Sequence, residues 1–416
     1  MANAVDIPAP APSRPPPLSP RCPRYHSLDF WRGFACLLIV VYHSTFYAAT
    51  PDLLSRVMAA GGTSSEWLMA ACSWLWVGVP LFFVISGYCI SATADSARRR
   101  DVPVRVYLWR RFRRIFPPYW IFLAVSVVTV WATESLVRPG LFVDHRHAFP
   151  HPASLSPLQW LGTISLTEIW RHHLFGPEMR LFLQHAWTLC YEEQFYAVVG
   201  LILLVSPRRF FPLAAAVTAA VFALEILPAR LVPAVGVIRR HSTGFFFDGY
   251  WLYFAAGIGV YYSINYATRT ARTLLVATLL VGVAWGLRSG TESRTVSFAF
   301  ALLLLALHRW DAPLSAAAWS VPVSWCGAMC YSLYLVHLPV CKALSHALVL
   351  AGIESPTETA LITVPACLVA SLLTAWTFHL LVERRFLNSA HAPRHPVATV
   401  ASGSAAETAA AGAALA

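Results

Sequence analysis

The sequence predicts an all-α membrane protein that crosses the bilayer about ten times and keeps both termini in the cytosol. Three observations predict this class. Of the 416 residues, 57% are hydrophobic and only 12% are charged, whereas soluble domains carry about 25% charged residues. The mean hydropathy is +0.57. Long apolar blocks alternate with short breaks that are rich in Arg or Pro, as expected when each crossing takes roughly 20 apolar residues.

The predicted elements begin and end with a tail. Residues 1–25 are rich in Pro, Ala and Ser and lack the apolar stretch of a signal peptide, so we expect a disordered cytosolic tail. A membrane domain covers 26–388, and a second disordered tail, rich in Ala and Gly, covers 389–416. The apolar blocks predict spans at 28–48, 67–91, 115–132, 187–206, 210–228, 245–264, 273–288, 294–308, 322–350 and 358–382.

The basic residues predict the orientation of these spans. The net charge of +11 comes mainly from arginines that cluster between apolar blocks. With a cytosolic N-terminus, the cytosolic segments carry twenty arginines and the opposite segments ten. Cytosolic loops of membrane proteins are enriched in Lys and Arg. The charge is therefore explained by topology and by contact with the lipid bilayer, and we expect no nucleic-acid partner.

Histidines and cysteines give no metal site. The segment 133–186 carries six histidines, namely His145, His147, His151, His172, His173 and His185. Zinc ligands recur at characteristic spacings, and none is found here, so we expect no bound metal. The nine cysteines are odd in number and scattered, mostly in or beside apolar blocks. They predict small buried side chains and no disulfide framework.

Two ionisable residues lie in the first predicted span. Arg32 and His43 are eleven residues apart, which is close to three helical turns, so both side chains lie on one face and about 16 Å apart along the axis. Ionisable residues are costly inside a bilayer and are usually functional there. The alternative is a snorkelling Arg and a His that bonds to a neighbouring helix.

A run of arginines opens the third predicted span. Arg111 and Arg114 are separated by three positions and therefore share a helix face. Two guanidinium groups at a membrane edge suit a phosphate or pyrophosphate group. The alternative is that these arginines only hold the loop inside and contact anionic lipid.

Two further segments place polar groups near apolar spans. Ser86 and Gly87 end the second span, where they offer either a hydroxyl to a ligand or close packing between helices. Glu192 and Glu193 lie near the start of the fourth span and face directions about 100° apart. One could enter the bundle and pair with His43 or accept a proton, while the other meets water. Acids are also simply favoured at a helix N-terminus.

Another intramembrane His lies in the ninth span. Tyr334 and His337 are three positions apart and share a face. They could contribute to a polar cavity inside the bundle. A structural network that stiffens the bundle explains them equally well.

These motifs together resemble the acyltransferase-3 family of integral-membrane acyltransferases, whose best-known members are bacterial carbohydrate O-acetyltransferases. The resemblance extends from about residue 25 to 390. It rests on the pair Arg32 and His43, FFVISGY at 82–88, RRFRRIFPPYW at 110–120, HAWTLCYEEQFY at 185–196, YSLYLVHLPV at 331–340 and VERRF at 382–386.

The resemblance implies an acyl donor such as acetyl-CoA on the cytosolic side and a hydroxyl acceptor, typically a carbohydrate. It implies that His43 is catalytic with Arg32 beside it, and that Glu192 is the acid of the W-x-L-x-x-E-x-x-F pattern. Candidate contacts to the donor are Arg111, Arg114, Ser86, Tyr334 and His337. Acetyl-CoA would be a substrate, and we expect no bound cofactor. The expected location is the bacterial inner membrane.

The chain departs from the family pattern in two places. Many members have Pro after the Glu-Arg or Glu-Lys pair near the end, where this chain has Arg385. Some members carry an additional extracytoplasmic esterase-like domain. We expect this chain to act as a stand-alone transferase.

The expected reaction is O-acyl transfer, in which His43 removes the proton of an attacking hydroxyl. An Arg or Tyr donor would stabilise the oxyanion, and an acyl-His relay remains an alternative route. The rival class is a proton-coupled transporter, which also uses buried His, Arg and Glu. Against it, the second half contains no counterpart of the Arg32–His43 pair or of the arginine run. A third reading, a non-catalytic membrane sensor, would not need all of these side chains.

Overall fold

The computed structural model describes residues 25–50, 52–137, 149–227 and 232–387, and these residues contain helices and no β-strand. The α-helices are α1 (Leu28–Ser44), α2 (Leu53–Ala60), α3 (Ser64–Cys72), α4 (Gly78–Arg99), α5 (Val104–Ala132), α6 (Pro157–Ser165), α7 (Glu168–Arg171), α8 (Trp187–Val205), α9 (Phe210–Ile226), α10 (Pro233–Arg240), α11 (Tyr250–Asn265), α12 (Arg269–Ser289), α13 (Glu292–Leu307), α14 (Asp311–Ala316), α15 (Val321–Ala328), α16 (Cys330–Leu350), α17 (Pro356–Glu358) and α18 (Val364–Leu381).

The all-α membrane class is confirmed. Within the described residues, eight helical stretches are long and apolar enough to cross a membrane. The predicted spans at 28–48 and 245–264 are also helical, but α1 has 17 residues and α11 has 16, which is short for a full crossing. The number ten and the orientation of the termini therefore stay predictions. The predicted tails 1–25 and 389–416, apart from Tyr25, lie outside the described residues, as do His145 and His147.

One predicted boundary was wrong, and one long predicted span contains a break. The third span was predicted to begin at residue 115, but α5 begins at Val104. Its first turns are polar, so hydropathy does not mark them, although the backbone is already helical. The ninth span, 322–350, is divided at Met329 into α15 and α16. The arginine run consequently lies inside α5 and does not precede it.

Small residues bring the central helices close together. A Cβ atom on Gly87 of α4 would lie 1.9 Å from the carbonyl oxygen of Phe254 in α11, and one on Gly257 would lie 1.9 Å from the carbonyl oxygen of Val84. Only glycine permits these two contacts. Helix contacts of this kind are typical of membrane bundles. The expected close packing at Ser86–Gly87 is therefore observed.

The start of α1 is fixed from the other end of the chain. Asp311 of α14 is 3% exposed, and its carboxylate accepts hydrogen bonds from the backbone N–H of Ser27 at 2.8 Å and from the Ser27 hydroxyl at 2.6 Å. The backbone N–H of His26 bonds to the same carboxylate. The carboxylate oxygens of Asp311 thus accept hydrogen bonds from N–H groups that would otherwise be unpaired at the start of the helix. Helix α1 then packs along α4, α15, α16 and α18.

A buried ion pair organises the segment between α5 and α8. Glu168 is fully buried, and its carboxylate is 2.7 Å from Nε of Arg171. The same carboxylate accepts a hydrogen bond from the backbone N–H of Arg180 at 2.9 Å. Buried charges need partners of this kind. The pair thus holds the polypeptide that leads to His185 and α8.

Candidate functional site

One face of α5 directs two arginines into the bundle. Arg111 is half-buried, its guanidinium donates to the Thr93 hydroxyl at 2.7 Å, and it lies 5.5 Å from the centre of the Tyr196 ring. Arg114 is also half-buried. Arg110 and Arg113 lie on the exposed face. Arg111 and Arg114 thus share a helix face, as predicted, and the structure shows that this face is turned into the bundle.

Arg114 has no hydrogen bond and no ion pair with any described residue. It acts electrostatically on Glu192 and Cys330, which places it between α8 and α16. A half-buried guanidinium has five N–H donors to satisfy. An anion from outside the protein would satisfy them.

Glu192 belongs to a hydrogen-bonded group of side chains next to this arginine pair. The Tyr196 hydroxyl donates to the Glu192 carboxylate at 2.9 Å and lies 3.2 Å from the Ser86 hydroxyl. Ser86 also lies within interaction range of Glu192. The Glu192 carboxylate thus accepts a hydrogen bond from Tyr196. The pairing of Glu192 with His43 that the sequence suggested is not observed among the described residues.

The sequence suggested that one of the two acids meets water, but Glu193 does not face open water. Both glutamates are half-buried, and one carboxylate oxygen of Glu193 is buried without a hydrogen-bond partner among the described residues. The reason is that α8 is surrounded, since it packs against α4, α5, α9 and α11. Both acids therefore remain candidates.

Arg32 lies with the arginine pair and far from His43. Its guanidinium bonds to Asp29 at 2.7 Å and to the Cys89 sulfur at 2.8 Å. Because both residues belong to one regular helix, α1, the rise of the helix separates them by about 16 Å. Arg32 is therefore a member of the arginine end of the bundle.

His43 belongs to a group of three histidines at the opposite end. The His43 ring centre lies 5.2 Å from that of His337, and the His337 ring centre lies 5.5 Å from that of His185. Nδ1 of His337 is 2.7 Å from the Tyr334 carbonyl oxygen. A carbonyl only accepts, so Nδ1 carries the proton and Nε2 is left with a lone pair. Nε2 of His337 has no hydrogen-bond partner in the described part of the chain.

The hydroxyl of Tyr334 is used in joining two helices. It donates to the His185 carbonyl oxygen at 2.5 Å and accepts from the Thr188 hydroxyl at 2.9 Å. These bonds connect α16 to the start of α8. Tyr334 therefore positions His185 beside His337.

A cavity of about 380 Å³ adjoins His43. Its lining residues lie at or beside the helix ends opposite to the end of the bundle that carries Arg111 and Arg114. Most of them are aromatic. They are Ile39, Tyr42, His43, Phe46, Trp76, Val79, Pro80, Phe83, Trp187, Tyr250, Tyr253 and Ser293. Sequence reasoning singled out only His43 among them. Phe83 and Trp187 lie within the motifs at 82–88 and 185–196, but the other aromatic residues carry no signal that separates them from ordinary membrane-helix residues.

The VERRF segment at 382–386 contributes buried hydrogen bonds that join two helices. Glu383 is 2% exposed, and its carboxylate accepts a hydrogen bond from Ser332 at 2.5 Å and lies 2.8 Å from Nδ1 of His379. This ties the end of α18 to the start of α16. The departure at Arg385 does not touch these bonds, although its carbonyl oxygen accepts a hydrogen bond from Arg113.

The described ranges contain no group of three or more His, Cys, Asp or Glu side chains arranged to hold a metal ion. The polar groups at this site are the nitrogens of arginine and histidine and the hydroxyls of tyrosine. They suit an organic substrate with anionic and hydroxylated parts.

The chain is similar to known proteins over most of its membrane region. A family model described as an acyltransferase domain matches residues 25–380. The "O-acetyltransferase OatA" of Staphylococcus aureus strain NCTC 8325 is 27% identical over 194 residues, which are 46% of this chain and 26% of that protein. The "Peptidoglycan O-acetyltransferase OatA" of Listeria monocytogenes serovar 1/2a is 24% identical over 181 residues, 43% of this chain and 24% of that protein.

The match thus spans about a quarter of the length of these curated relatives. No solved structure matches the chain.

Proposed function

Because the chain belongs to the acyltransferase-3 family of membrane acyltransferases, we propose that it moves an acetyl group from acetyl-CoA to a hydroxyl of a carbohydrate. The proposed location is the bacterial inner membrane. The observation that carries the proposal is the position of His43, which lies beside a cavity at one end of a bundle whose other end presents Arg111 and Arg114. One end suits an anionic donor, and the other suits a neutral acceptor. The relatives named as O-acetyltransferases support this reaction.

The donor end would hold the phosphates of CoA. Arg114 has guanidinium donors that no described residue uses, and Arg111 stands one turn earlier on the same face of α5. Arginine binds phosphate through paired N–H groups, and the bond gains from the charge on both partners. Glu192 limits the positive charge at this place, since it lies within electrostatic reach of both arginines.

The acceptor end would carry the chemistry. His43 takes the proton of the acceptor hydroxyl as its oxygen bonds to the thioester carbonyl carbon. The carbon–sulfur bond then breaks, CoA leaves as a thiolate, and the proton on His43 returns to the sulfur. Donors near the carbonyl oxygen stabilise the charge that develops there. His337, whose ring lies 5.2 Å from that of His43, would keep the His43 ring in place.

A His43→Ala variant tests the proposal. We expect transfer of radiolabelled acetate from acetyl-CoA to membrane-associated glycan to fall by about 10²–10⁴-fold, the range attributed to general-base catalysis. Acetyl-CoA binding should change little, because the arginine end is intact. A monodisperse variant that transfers acetate at the wild-type rate would contradict the role of His43. Solute flux through the protein without acetyl-CoA would instead indicate a transporter.

A further inference from the structure

The cavity beside His43 contains polar groups that the protein leaves unused. The hydroxyls of Tyr42, Tyr250, Tyr253 and Ser293 line it, and none of them bonds to a described residue. Tyr253 is only 6% exposed, and its hydroxyl is not among the fully enclosed polar atoms that lack a partner, so it is open to the cavity. Hydroxyls that line a cavity can donate a hydrogen bond to a bound molecule and accept one from it. A ligand with its own hydroxyls would satisfy them.

The cavity also offers free aromatic faces. Trp76 is half-buried and contacts no other aromatic ring of the described chain. Trp187 stands across from it and packs edge-on against Tyr250, with ring centres 5.6 Å apart. Aromatic rings gain from contact with flat apolar surfaces. A pyranose ring has such a surface on its C–H face and hydroxyls around its edge.

The cavity offers no cationic partner to the phosphates of the donor. None of its lining residues is Arg, Lys, Asp or Glu, whereas CoA phosphates need cationic partners. The volume of about 380 Å³ lies near the lower end of the 300–1,000 Å³ typical of small-molecule sites. The size favours one saccharide unit over a long stretch of polymer.

We propose that this cavity is the acceptor site and that it binds one neutral saccharide unit, stacked on Trp76 and bonded to the Tyr253 hydroxyl, with one sugar hydroxyl directed at His43. The inference rests on the proposed acetyl transfer. It adds the chemical class of the acceptor, an uncharged pyranose, and the residues that select it. An acyl chain or a lipid tail would use the aromatic faces but not the hydroxyls.

The test uses purified full-length protein in lipid nanodiscs, with acetyl-CoA as donor and chitotriose as a neutral saccharide probe. The variants are Trp76→Leu and Tyr253→Phe. Each has a matched control in the same part of the chain. Trp74→Leu replaces an exposed Trp two positions away, and Tyr262→Phe removes another hydroxyl of α11 that bonds to no described residue.

We expect the chitotriose KM to rise about tenfold in each cavity variant, because one stacking contact or one hydrogen bond is lost. The controls should keep the wild-type chitotriose KM, and the acetyl-CoA KM should stay constant in all four proteins. Unchanged chitotriose KM values in both cavity variants would overturn the proposal. So would an acetyl-CoA KM that rises as much as the chitotriose KM in the cavity variants, since that result would show that the two residues do not act on the acceptor.

A separate measurement distinguishes failure of the site from failure of the reaction. Chitotriose binding to His43→Ala protein is measured by calorimetry, without turnover. Binding that weakens about tenfold with Trp76→Leu and not with Trp74→Leu supports the saccharide site even if acetate is not transferred. Binding that is absent, or equal in both variants, overturns the site while leaving the transfer reaction to the His43 test.

Discussion

Neighbouring arginines of α5 have different surroundings and should have different functions. Arg113 is exposed and its guanidinium bonds to the carbonyl oxygen of Arg385 at 3.0 Å. Arg114 is half-buried and has no hydrogen bond with the described residues. The two residues carry the same charge and are adjacent in the sequence, but only Arg114 has hydrogen-bond donors available inside the bundle. The pair therefore separates a structural arginine from a candidate donor-binding arginine.

We predict that Arg114→Ala raises the acetyl-CoA KM by about tenfold or more, because a charge-assisted hydrogen bond contributes roughly 1.5–3 kcal/mol. Arg113→Ala is the matched control and should leave this KM within about twofold. Initial rates at varied acetyl-CoA and saturating acceptor measure both values. Equal effects of the two substitutions would indicate a general influence of positive charge on this membrane edge.

At the scale of elements, the contact between α4 and α11 links both ends of the site. Helix α4 carries Ser86 and Thr93 near the arginines, and α11 carries Tyr253 in the cavity. Their separation is set where the backbones touch, at Gly87 and Gly257. A side chain at either position would force the helices apart.

We predict that Gly257→Ala destabilises the protein and reduces transfer, because its Cβ would lie 1.9 Å from the Val84 carbonyl oxygen. Overpacking of this kind typically costs about 1–3 kcal/mol, which lowers the thermal midpoint by several degrees. The control is Gly259→Ala on the same helix, where the nearest atom is the flexible Leu275 side chain at 3.0 Å. Thermal unfolding in detergent compares them. A Gly257→Ala protein as stable as Gly259→Ala would show that the helices can separate at little cost.

An element can be predicted from the sequence only where a local pattern of residues indicates it. All ten apolar blocks form helices because hydrophobicity over about 20 residues directly reflects burial in lipid and protein. The start of α5 was missed because its arginines lower hydropathy without ending the helix. The short helix α2, Leu53–Ala60, was not predicted because it has too few residues to show a clear helical period of hydrophobic positions. Boundaries of this kind are decided by capping and packing.

The same distinction applies to the site. His43 and Arg32 are visible in the sequence because an ionisable residue in an apolar block is conspicuous. Arg111 is visible because it belongs to a run of arginines at the edge of an apolar block. Trp76 and Tyr253 are not, since aromatic residues are common in membrane helices. Their convergence on one cavity depends on how α4, α8 and α11 pack, and that arrangement has no local signal. The position of Arg32 beside Cys89 likewise follows from the neighbouring helix.

At the scale of the whole molecule, the two ends of the bundle differ in chemistry. The arginine end contains Arg32, Arg111 and Arg114, and the cavity end contains His43 and a lining without charged residues. The arginine bias of the sequence predicts that the arginine end faces the cytosol. The donor and the acceptor would then approach from opposite sides of the membrane, and the acetyl group would be passed across part of the bilayer.

This arrangement predicts a sided reaction. Right-side-out vesicles loaded with radiolabelled acetyl-CoA should acetylate chitotriose added outside, whereas acetyl-CoA added outside with the sugar should give little product. The physical reason is that the proposed site for the CoA phosphates is at the arginine end, while the neutral cavity lies at the other. Inverted vesicles provide the control, because there external acetyl-CoA should be used and enclosed chitotriose acetylated. Equal use of acetyl-CoA from either face of sealed vesicles would contradict the separation of the two sites, even if His43 proved essential.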